Sequence, residues 1–256
     1  GSGSDWPYID SYDSSNPDYS STNFPGGYDP SERKDTAFVV SLSPTNPAIN
    51  TGSGAIWGSA ATAPGGTVIG TVGDGLWCLT QTGIQPNHVR DDCDLVIPDA
   101  VLPSVTWVTV PPNFILGNNN YKITGDLTTG LSVVGKARLW VTGDVKLSGF
   151  GDEISINNGR SLELFIGTAT GTNSVSADFG GGLTFGGKYA TNFTIWGLPT
   201  CTSMKFSSSP SVTARIYAPQ ADVQFRGGAD GFGAFTAKSF TLSGSCGIHI
   251  DEALAR

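Results

Sequence analysis

Charge is scarce in this 256-residue chain, because only 14% of its residues are Asp, Glu, Lys or Arg. The 14 basic residues are spread thinly and the net charge is -8. Without a basic stripe there is no surface to track a phosphate backbone, so we predict that nucleic acid is not a partner. No apolar run approaches the roughly 18 residues of a transmembrane helix, so no membrane span is expected in this chain.

Histidine and cysteine are also few, with two and four residues, and no two cysteines form a CxxC pair. This spacing does not favour a zinc site. An even cysteine number and little charge favour an extracellular or cell-surface location. We therefore predict the disulfides Cys78–Cys93 and Cys201–Cys246, with free buried thiols as the alternative. The start, 1–4, is interpreted as a linker or the beginning of a processed fragment, which leaves open whether a hydrophobic segment was removed.

Glycine and proline are abundant, with 35 and 15 residues, which indicates a turn-rich, mostly β protein. Short β-type runs recur at regular offsets after residue 114. The run 123–126 recurs at 141–144, 18 residues on, and 223–227 is echoed at 240–244, 17 residues on. The run 217–219 also aligns with 235–237. Such short units bury an apolar face only by stacking on their neighbours.

The expected fold is an all-β, single-stranded parallel β-helix (β-solenoid) with an extended N-terminal arm, and a β-sandwich is the alternative. We predict an aromatic, acidic arm over 1–35 and a solenoid domain over 36–256. The solenoid has an irregular front portion, 36–113, and regular rungs over 114–256. The arm has no evident core of its own, so its aromatic side chains are candidates for contact with another copy: Trp6, Tyr8, Tyr12, Tyr19, Phe24 and Tyr28.

Small-residue patterns in the C-terminal half lie at 216–223, 227–228, 231–234, 237–239, 242–244 and 248–254. Upstream, related patterns lie at 10–15, 28–30, 55–58 and 61–68. In these segments the chain is similar to a bacterial domain of unknown function that occurs in extracellular surface proteins. The resemblance implies a Gly-rich β-solenoid on proteins whose N-terminus looks like a pilus-assembly or prepilin segment, and it brings no catalytic residues. Solenoids of the bactofilin kind share only the short rung architecture.

Candidate ligand sites are few. His249 and Asp251 alternate in a strand-like run and so share one face, which makes them weak candidates for a metal. A hydrogen-bonded histidine in a terminal strand is the simpler interpretation. No cofactor is predicted, although calcium is retained as an alternative for the N-terminal acids Asp5, Asp10, Asp13, Asp18, Asp29 and Asp35, which Asx-turns also explain.

Two further sets of residues are candidates for activity. Stacked rungs would gather Asp222, Arg226, Asp230 and Lys238 into one patch, which a polysaccharide lyase or hydrolase would require. A solvated corner explains them equally well. The tryptophans could form a sugar-stacking platform, or pack against the core: Trp57, Trp77, Trp107, Trp140 and Trp196.

The leading functional prediction is a non-enzymatic structural subunit of an extracellular bacterial appendage, filament or surface matrix. It would assemble as a homo-oligomer or filament through the N-terminal arm and the solenoid edges. The alternative is a carbohydrate-binding or adhesion module with polysaccharide as its partner, and a polysaccharide-active enzyme is the least favoured.

Overall fold

The computed structural model describes residues 8–22, 26–71, 77, 79–149, 151–180, 184–186, 189–207 and 211–255. The chain forms two compact units, one of Gly1–Ile97 with Gly244–Arg256 and the other of Pro98–Ser243. The boundaries that the sequence predicts at residues 35 and 113 remain predictions. No helix in the described ranges is both long and apolar enough to span a membrane.

The first unit is built from the first eight strands and the last one. Its strands are β1 (Tyr8–Tyr12), β2 (Ala37–Ser41), β3 (Ile49–Asn50), β4 (Ala55–Ile56), β5 (Gly58–Thr62), β6 (Val68–Ile69), β7 (Gly83–Ile84), β8 (Val89–Arg90) and β23 (Gly247–Asp251). Two 3-10 turns, Pro17–Tyr19 and Glu252–Ala255, belong to the same unit.

Successive turns of the first unit pair in parallel. One sheet has the order β2, β5, β8, a second pairs β3 with β6, and a third has the order β23, β1, β4, β7. The N-terminal strand β1 therefore lies between the C-terminal strand and β4. Its residues are largely buried although they include Asp10 and Ser11, so the polar side chains of this strand require partners inside the unit.

The second unit contains the regular rungs. Its strands are β9 (Val108–Thr109), β10 (Ile115–Leu116), β11 (Asn120–Ile123), β12 (Leu131–Val133), β13 (Lys136–Val141), β14 (Val145–Leu147), β15 (Ile154–Ile156), β16 (Ser161–Ile166), β17 (Val175–Phe179), β18 (Thr184–Gly186), β19 (Phe193–Gly197), β20 (Cys201–Phe206), β21 (Ser211–Arg226) and β22 (Gly231–Ser243). One 3-10 turn, Ala190–Asn192, precedes β19.

Three parallel sheets run along this unit, and successive rungs contribute one segment each to them. The first sheet has the order β10, β12, β15, β18 and then the beginnings of β21 and β22. The second has the order β9, β11, β13, β16, β19 and then the middle of β21 and β22. The third has β14, β17, β20 and the ends of β21 and β22. All these pairings are parallel, which confirms the β-solenoid and not the antiparallel sandwich.

Inward-facing side chains repeat from rung to rung and fill the core. In the third sheet Phe179 stacks on Phe206 with ring centroids 4.9 Å apart, and Phe206 stacks on Phe225 at 4.6 Å. All three are fully buried. Because a parallel register places equivalent residues above one another, one aromatic position in each rung is enough to build a continuous column.

Two of the predicted repeat offsets are the pairing registers of the structure. Ile123 pairs with Val141 and Val223 pairs with Phe240. The third alignment was wrong by one residue, because Tyr217 pairs with Thr236. The register shifts between Ala218 and Asp222, and Pro219 lies within this irregularity, where its missing N–H costs no ladder hydrogen bond.

Candidate functional site

A buried polar cluster joins the two ends of the chain in the first unit. Asp10 of β1 lies opposite His249 of β23 in the parallel register, and His249 Nδ1 is 2.6 Å from Asp10 Oδ1. The Tyr28 hydroxyl donates to Asp10 Oδ2 at 2.5 Å. Since a carboxylate only accepts, the imidazole N–H is the donor. We call Asp10, Tyr28 and His249 the terminal cluster.

Aromatic rings enclose the terminal cluster. The Tyr28 and His249 rings lie 3.8 Å apart, centroid to centroid, and Tyr8 approaches His249 edge-on at 5.4 Å. Burial, and then the Asp10 carboxylate, raise the pKa of Tyr28 well above its usual range. Burial also raises the pKa of Tyr12, together with the charges of Asp251 and Asp10. Both phenols therefore stay protonated, and the Tyr28 hydroxyl remains a donor to Asp10.

A second group of contacts fixes the same two ends. Asp251 accepts hydrogen bonds from the Ser14 backbone N–H at 3.1 Å and from the Ser14 hydroxyl at 2.7 Å. Glu252 accepts from the Lys34 ammonium and the Thr36 hydroxyl. Burial would raise the pKa of Glu252, but these hydrogen bonds lower it overall. The N-terminal segment is thus held to the C-terminal strand at several points along its length.

A histidine–aspartate pair can orient a general base in an enzyme, but here the pair is sealed from solvent. Asp10 is 0% and His249 is 1% exposed. The serine hydroxyls nearby in the chain are engaged, because Ser11 bonds with Thr36, Ser14 donates to Asp251 and Ser15 donates to Asp13. Because both side chains are buried, the pair is not open to a substrate. Its hydrogen bond fastens β1 to β23.

His249 and Asp251 do not act together as metal ligands in the structure, because each bonds with a different residue. His249 bonds with Asp10, whereas Asp251 accepts from Ser14. Within the described ranges no group of three or more His, Cys, Asp or Glu side chains is placed to hold a metal ion. Two of the N-terminal acids form local turns instead, since Asp13 accepts from Ser15 and Asp29 accepts from Ser31.

The repeated Thr-Gly-Asp motifs of the second unit form an exposed ladder between rungs. Asp126 accepts from the backbone N–H of Asp144 at 2.9 Å, and Asp144 accepts from the backbone N–H of Ser176 at 2.8 Å. Lys146 lies 2.7 Å from Asp126 and 3.1 Å from Asp144. The hydrogen bond from Lys146 and that from the Asp144 N–H lower the pKa of Asp126. The Ser176 N–H is the main cause that lowers the pKa of Asp144.

The residues of the candidate catalytic patch also form hydrogen bonds within the second unit. Asp222 accepts from the Ser239 hydroxyl at 2.6 Å, on the next rung, and Arg226 donates to Gln224 at 2.5 Å. Asp222 and Arg226 are four residues apart on one strand, which is about 13 Å. Lys238 is exposed on β22, and the backbone carbonyl of Asp230 accepts from Val212.

An aromatic ladder covers the outer side of the second sheet of the second unit. It consists of Trp140, Phe165, Trp196 and Tyr217, which occupy matching positions on successive strands. Residues 98–107 run over this ladder, and we call them the strap. Trp107 of the strap packs 5.7 Å from Trp140 and 6.1 Å from Phe165.

Hydrogen bonds anchor one end of the strap. The Tyr217 hydroxyl donates to the Pro98 carbonyl at 2.7 Å, and Gln220 donates to Asp99 at 2.8 Å. Ala100 of the strap joins Phe165 and Leu198 in a buried cluster. The three tryptophans Trp107, Trp140 and Trp196 therefore pack within the unit, and the buried Trp196 Nε1 has no acceptor among the described residues.

The sequence profile of a domain of unknown function, DUF7305, matches residues 116–256, which is 141 of the 256 residues. The chain belongs to the DUF7305 family. The matched range contains most of the second unit and the whole of β23, which carries His249. No curated protein and no solved structure matches this DUF7305 chain.

The cysteines of this DUF7305 chain do not form the predicted bridges. Cys93 is a half-buried free thiol and Cys201 is a buried one, while Cys78 lies outside the described residues. Cys246 is buried in the first unit and Cys201 belongs to the second. Burial raises the pKa of Cys201 to about 12, an effect that the Ser203 N–H opposes and the charge of Asp144 reinforces. Cys201 behaves as a small apolar core residue.

The arm residues of the DUF7305 chain are held within their own unit where they are described. Tyr12 is buried and packs edge-on against Tyr28, Tyr8 contacts His249, and Tyr19 lies under the Lys34 ammonium. Trp6 and Phe24 lie outside the described residues. Sequence reasoning selected His249 but missed Asp10 as its partner, because 239 residues separate them. The local signal is that Asp10 interrupts the run YIDSY and His249 interrupts the run GIHID, both otherwise typical of buried strands.

Proposed function

We propose that this chain is a non-catalytic structural subunit of an extracellular bacterial surface assembly that associates with further copies of itself. One observation carries the proposal: two groups of ionisable side chains fasten neighbouring strands or rungs to each other. Asp10 and His249 do so in a sealed interior, and Asp126, Asp144 and Lys146 do so between rungs. This use of charge is expected of a durable scaffold.

The extracellular and bacterial parts of the proposal rest on the resemblance of the C-terminal half to surface proteins and on the scarcity of charge. A pilus-like or filamentous context is part of the same proposal. The family match supports a role for residues 116–256 as a recurrent module, and a module built of stacked rungs is suited to bearing load and presenting surface.

The N-terminal arm and the first rung of the second unit are less suited to assembly. Strand β1 is already paired on both sides within its own unit, so exchange of the arm would first break the terminal cluster. The first rung of the second unit is blunted, because Asn113 caps the Ile115 N–H and Tyr121 caps the Gly117 N–H. Pro111 and Pro112 follow β9 and lack a donor. Such devices protect strand edges from pairing with another chain.

Sedimentation velocity of the purified chain over a wide range of concentration tests the proposal. We expect the weight-average sedimentation coefficient to rise with concentration and the protein to show no polysaccharide cleavage. A single monomeric species at every concentration would contradict the proposal. So would release of reducing or unsaturated ends from an acidic polysaccharide.

A further inference from the structure

The net negative charge of the chain lies entirely in the first unit. That unit, Gly1–Ile97 with Gly244–Arg256, contains 13 Asp and Glu residues against four Lys and Arg. The second unit, Pro98–Ser243, contains nine acidic residues against ten basic ones. The two units therefore carry formal charges of -9 and +1, which together give the -8 of the whole chain. Such an asymmetry determines which surfaces of two copies attract each other.

Basic side chains of the second unit gather near the beginnings of β13 and β16. Lys136 and Arg138 alternate with buried residues of β13 and so point outward. Arg160 directly precedes Ser161, the register partner of Lys136. Arg215 occupies the position of Arg138 on β21, three strands away in the second sheet, which is about 14 Å. We call Lys136, Arg138, Arg160 and Arg215 the basic patch.

The basic patch is accessible and only partly neutralised. Lys136, Arg160 and Arg215 are exposed, and the structure gives these three no ion pair with any described residue. Arg138 does have a partner, because its Nε lies 2.9 Å from Glu163 Oε1. Like charges that are held close together repel, and an acidic partner removes this repulsion.

The first unit presents an exposed acidic run that complements the basic patch. Asp91, Asp92 and Asp94 are all exposed. In the described ranges the one ion pair of this run is a loose contact of 3.9 Å between Arg90 and Asp92. Val96, two residues after the run, is 89% exposed and adds apolar surface that a contact can bury.

We propose that the basic patch binds the acidic run Asp91, Asp92 and Asp94 of a second copy, so that copies associate head to tail. The inference rests on the proposed function and names its interface. Charge selects a second copy in this orientation, because two first units repel each other and two second units are nearly neutral. The contact joins two different surfaces, so each copy keeps one of each for its neighbours and assembly continues into a ring or a filament.

Reversal of charge in the basic patch is the direct test. Lys136→Glu combined with Arg160→Glu is the patch variant, and Lys205→Glu combined with Lys238→Glu is the matched control. All four side chains are exposed in the second unit, and both double variants lower the net charge equally. In sedimentation velocity we expect the patch variant to raise the dissociation constant by about tenfold or more, and the control to raise it far less.

A reciprocal variant in the first unit separates the named contact from general repulsion. Asp91→Lys combined with Asp92→Lys should weaken association on its own, and should restore it when mixed into the same chain as the patch variant, because opposite charges then meet again. Wild-type association should also weaken as salt is raised, since the interacting side chains are exposed.

The outcomes distinguish the interface from the proposed function. If wild-type copies associate, but the patch variant associates as tightly as the control or the reciprocal variant restores nothing, the named contact is wrong and the proposed function stands. If the wild-type chain remains a monomer at every concentration, both proposals fail.

Discussion

Replacement of His249 by leucine is the most informative perturbation of the terminal cluster. His249→Leu keeps a side chain of similar bulk but leaves the Asp10 carboxylate buried with the Tyr28 hydroxyl as its remaining donor in the cluster. Removing one partner of a buried charged pair costs about 3–5 kcal/mol. We take this range because Asp10 is 0% exposed and no solvent reaches it to replace the lost donor.

The other histidine provides the matched control. His88 is half-buried in the same unit, and its Nδ1 lies 3.1 Å from the Gly58 carbonyl. His88→Leu removes an ordinary hydrogen bond, worth about 1 kcal/mol. Denaturant unfolding followed by hydrogen exchange at β1 and β23 measures both variants. The opening free energy of these strands should fall about 2–4 kcal/mol further in His249→Leu than in His88→Leu.

A double variant identifies the physical cause. If the penalty comes from the stranded carboxylate, Asp10→Asn combined with His249→Leu should unfold at higher denaturant than His249→Leu alone, because the buried charge is gone. Equal stability of His249→Leu and His88→Leu would refute the argument. A double variant that loses the full sum of the two single changes would also refute it.

Three further predictions concern other parts of the chain. Gly233→Ala should destabilise the fold by more than about 1 kcal/mol, because Gly233 has a φ of 141° and a Cβ would lie 2.0 Å from the Ala214 carbonyl oxygen. Gly117→Ala is the control in the same unfolding assay, since its Cβ meets only the Tyr121 hydroxyl at 3.6 Å. The pKa values of Asp126, Asp144 and Glu252 are lowered in the folded protein. Their contribution to folding stability is therefore complete above the unfolded carboxyl pKa of about 4 and is lost as pH falls through the folded values. The melting temperature should fall on acidification, and less steeply in Lys146→Met; the same dependence of melting temperature on pH in both proteins would contradict this. In the native protein at pH 8 the Cys201 thiol should resist iodoacetamide while Cys93 reacts, because burial raises the pKa of Cys201 to about 12. Peptide mass spectrometry that finds Cys201 alkylated first, or bridged to Cys246, would contradict this prediction.

The sequence predicts the regular rungs well because their pairing is local. Ile123 meets Val141 one rung later, and a parallel register preserves the alternation of apolar and polar residues. The misplaced register at Tyr217 arises where Pro219 interrupts the ladder. Repeat offsets read from sequence do not reveal how many residues such an irregularity absorbs.

The terminal cluster and the strap depend on contacts that no local pattern contains. Asp10 and His249 pair across 239 residues, and Tyr217 holds Pro98 across 119. The sequence did not indicate that residues 98–107 would cover Phe165 and its neighbours, because a covered aromatic position and an exposed one have the same alternation.

The disulfide prediction failed for a related reason. An even number of cysteines is compatible with several pairings and also with none, and only three-dimensional proximity separates these cases. Cys201 lies at the start of β20 with its side chain in the core of the second unit. Its burial is explained by packing among apolar side chains, so no covalent partner is required.

Electron microscopy of the purified full chain, at concentrations above the association range, tests the central claim most directly. Self-association into a structural assembly predicts ordered multimers or filaments. Particles of the size of one copy at every concentration would contradict the claim.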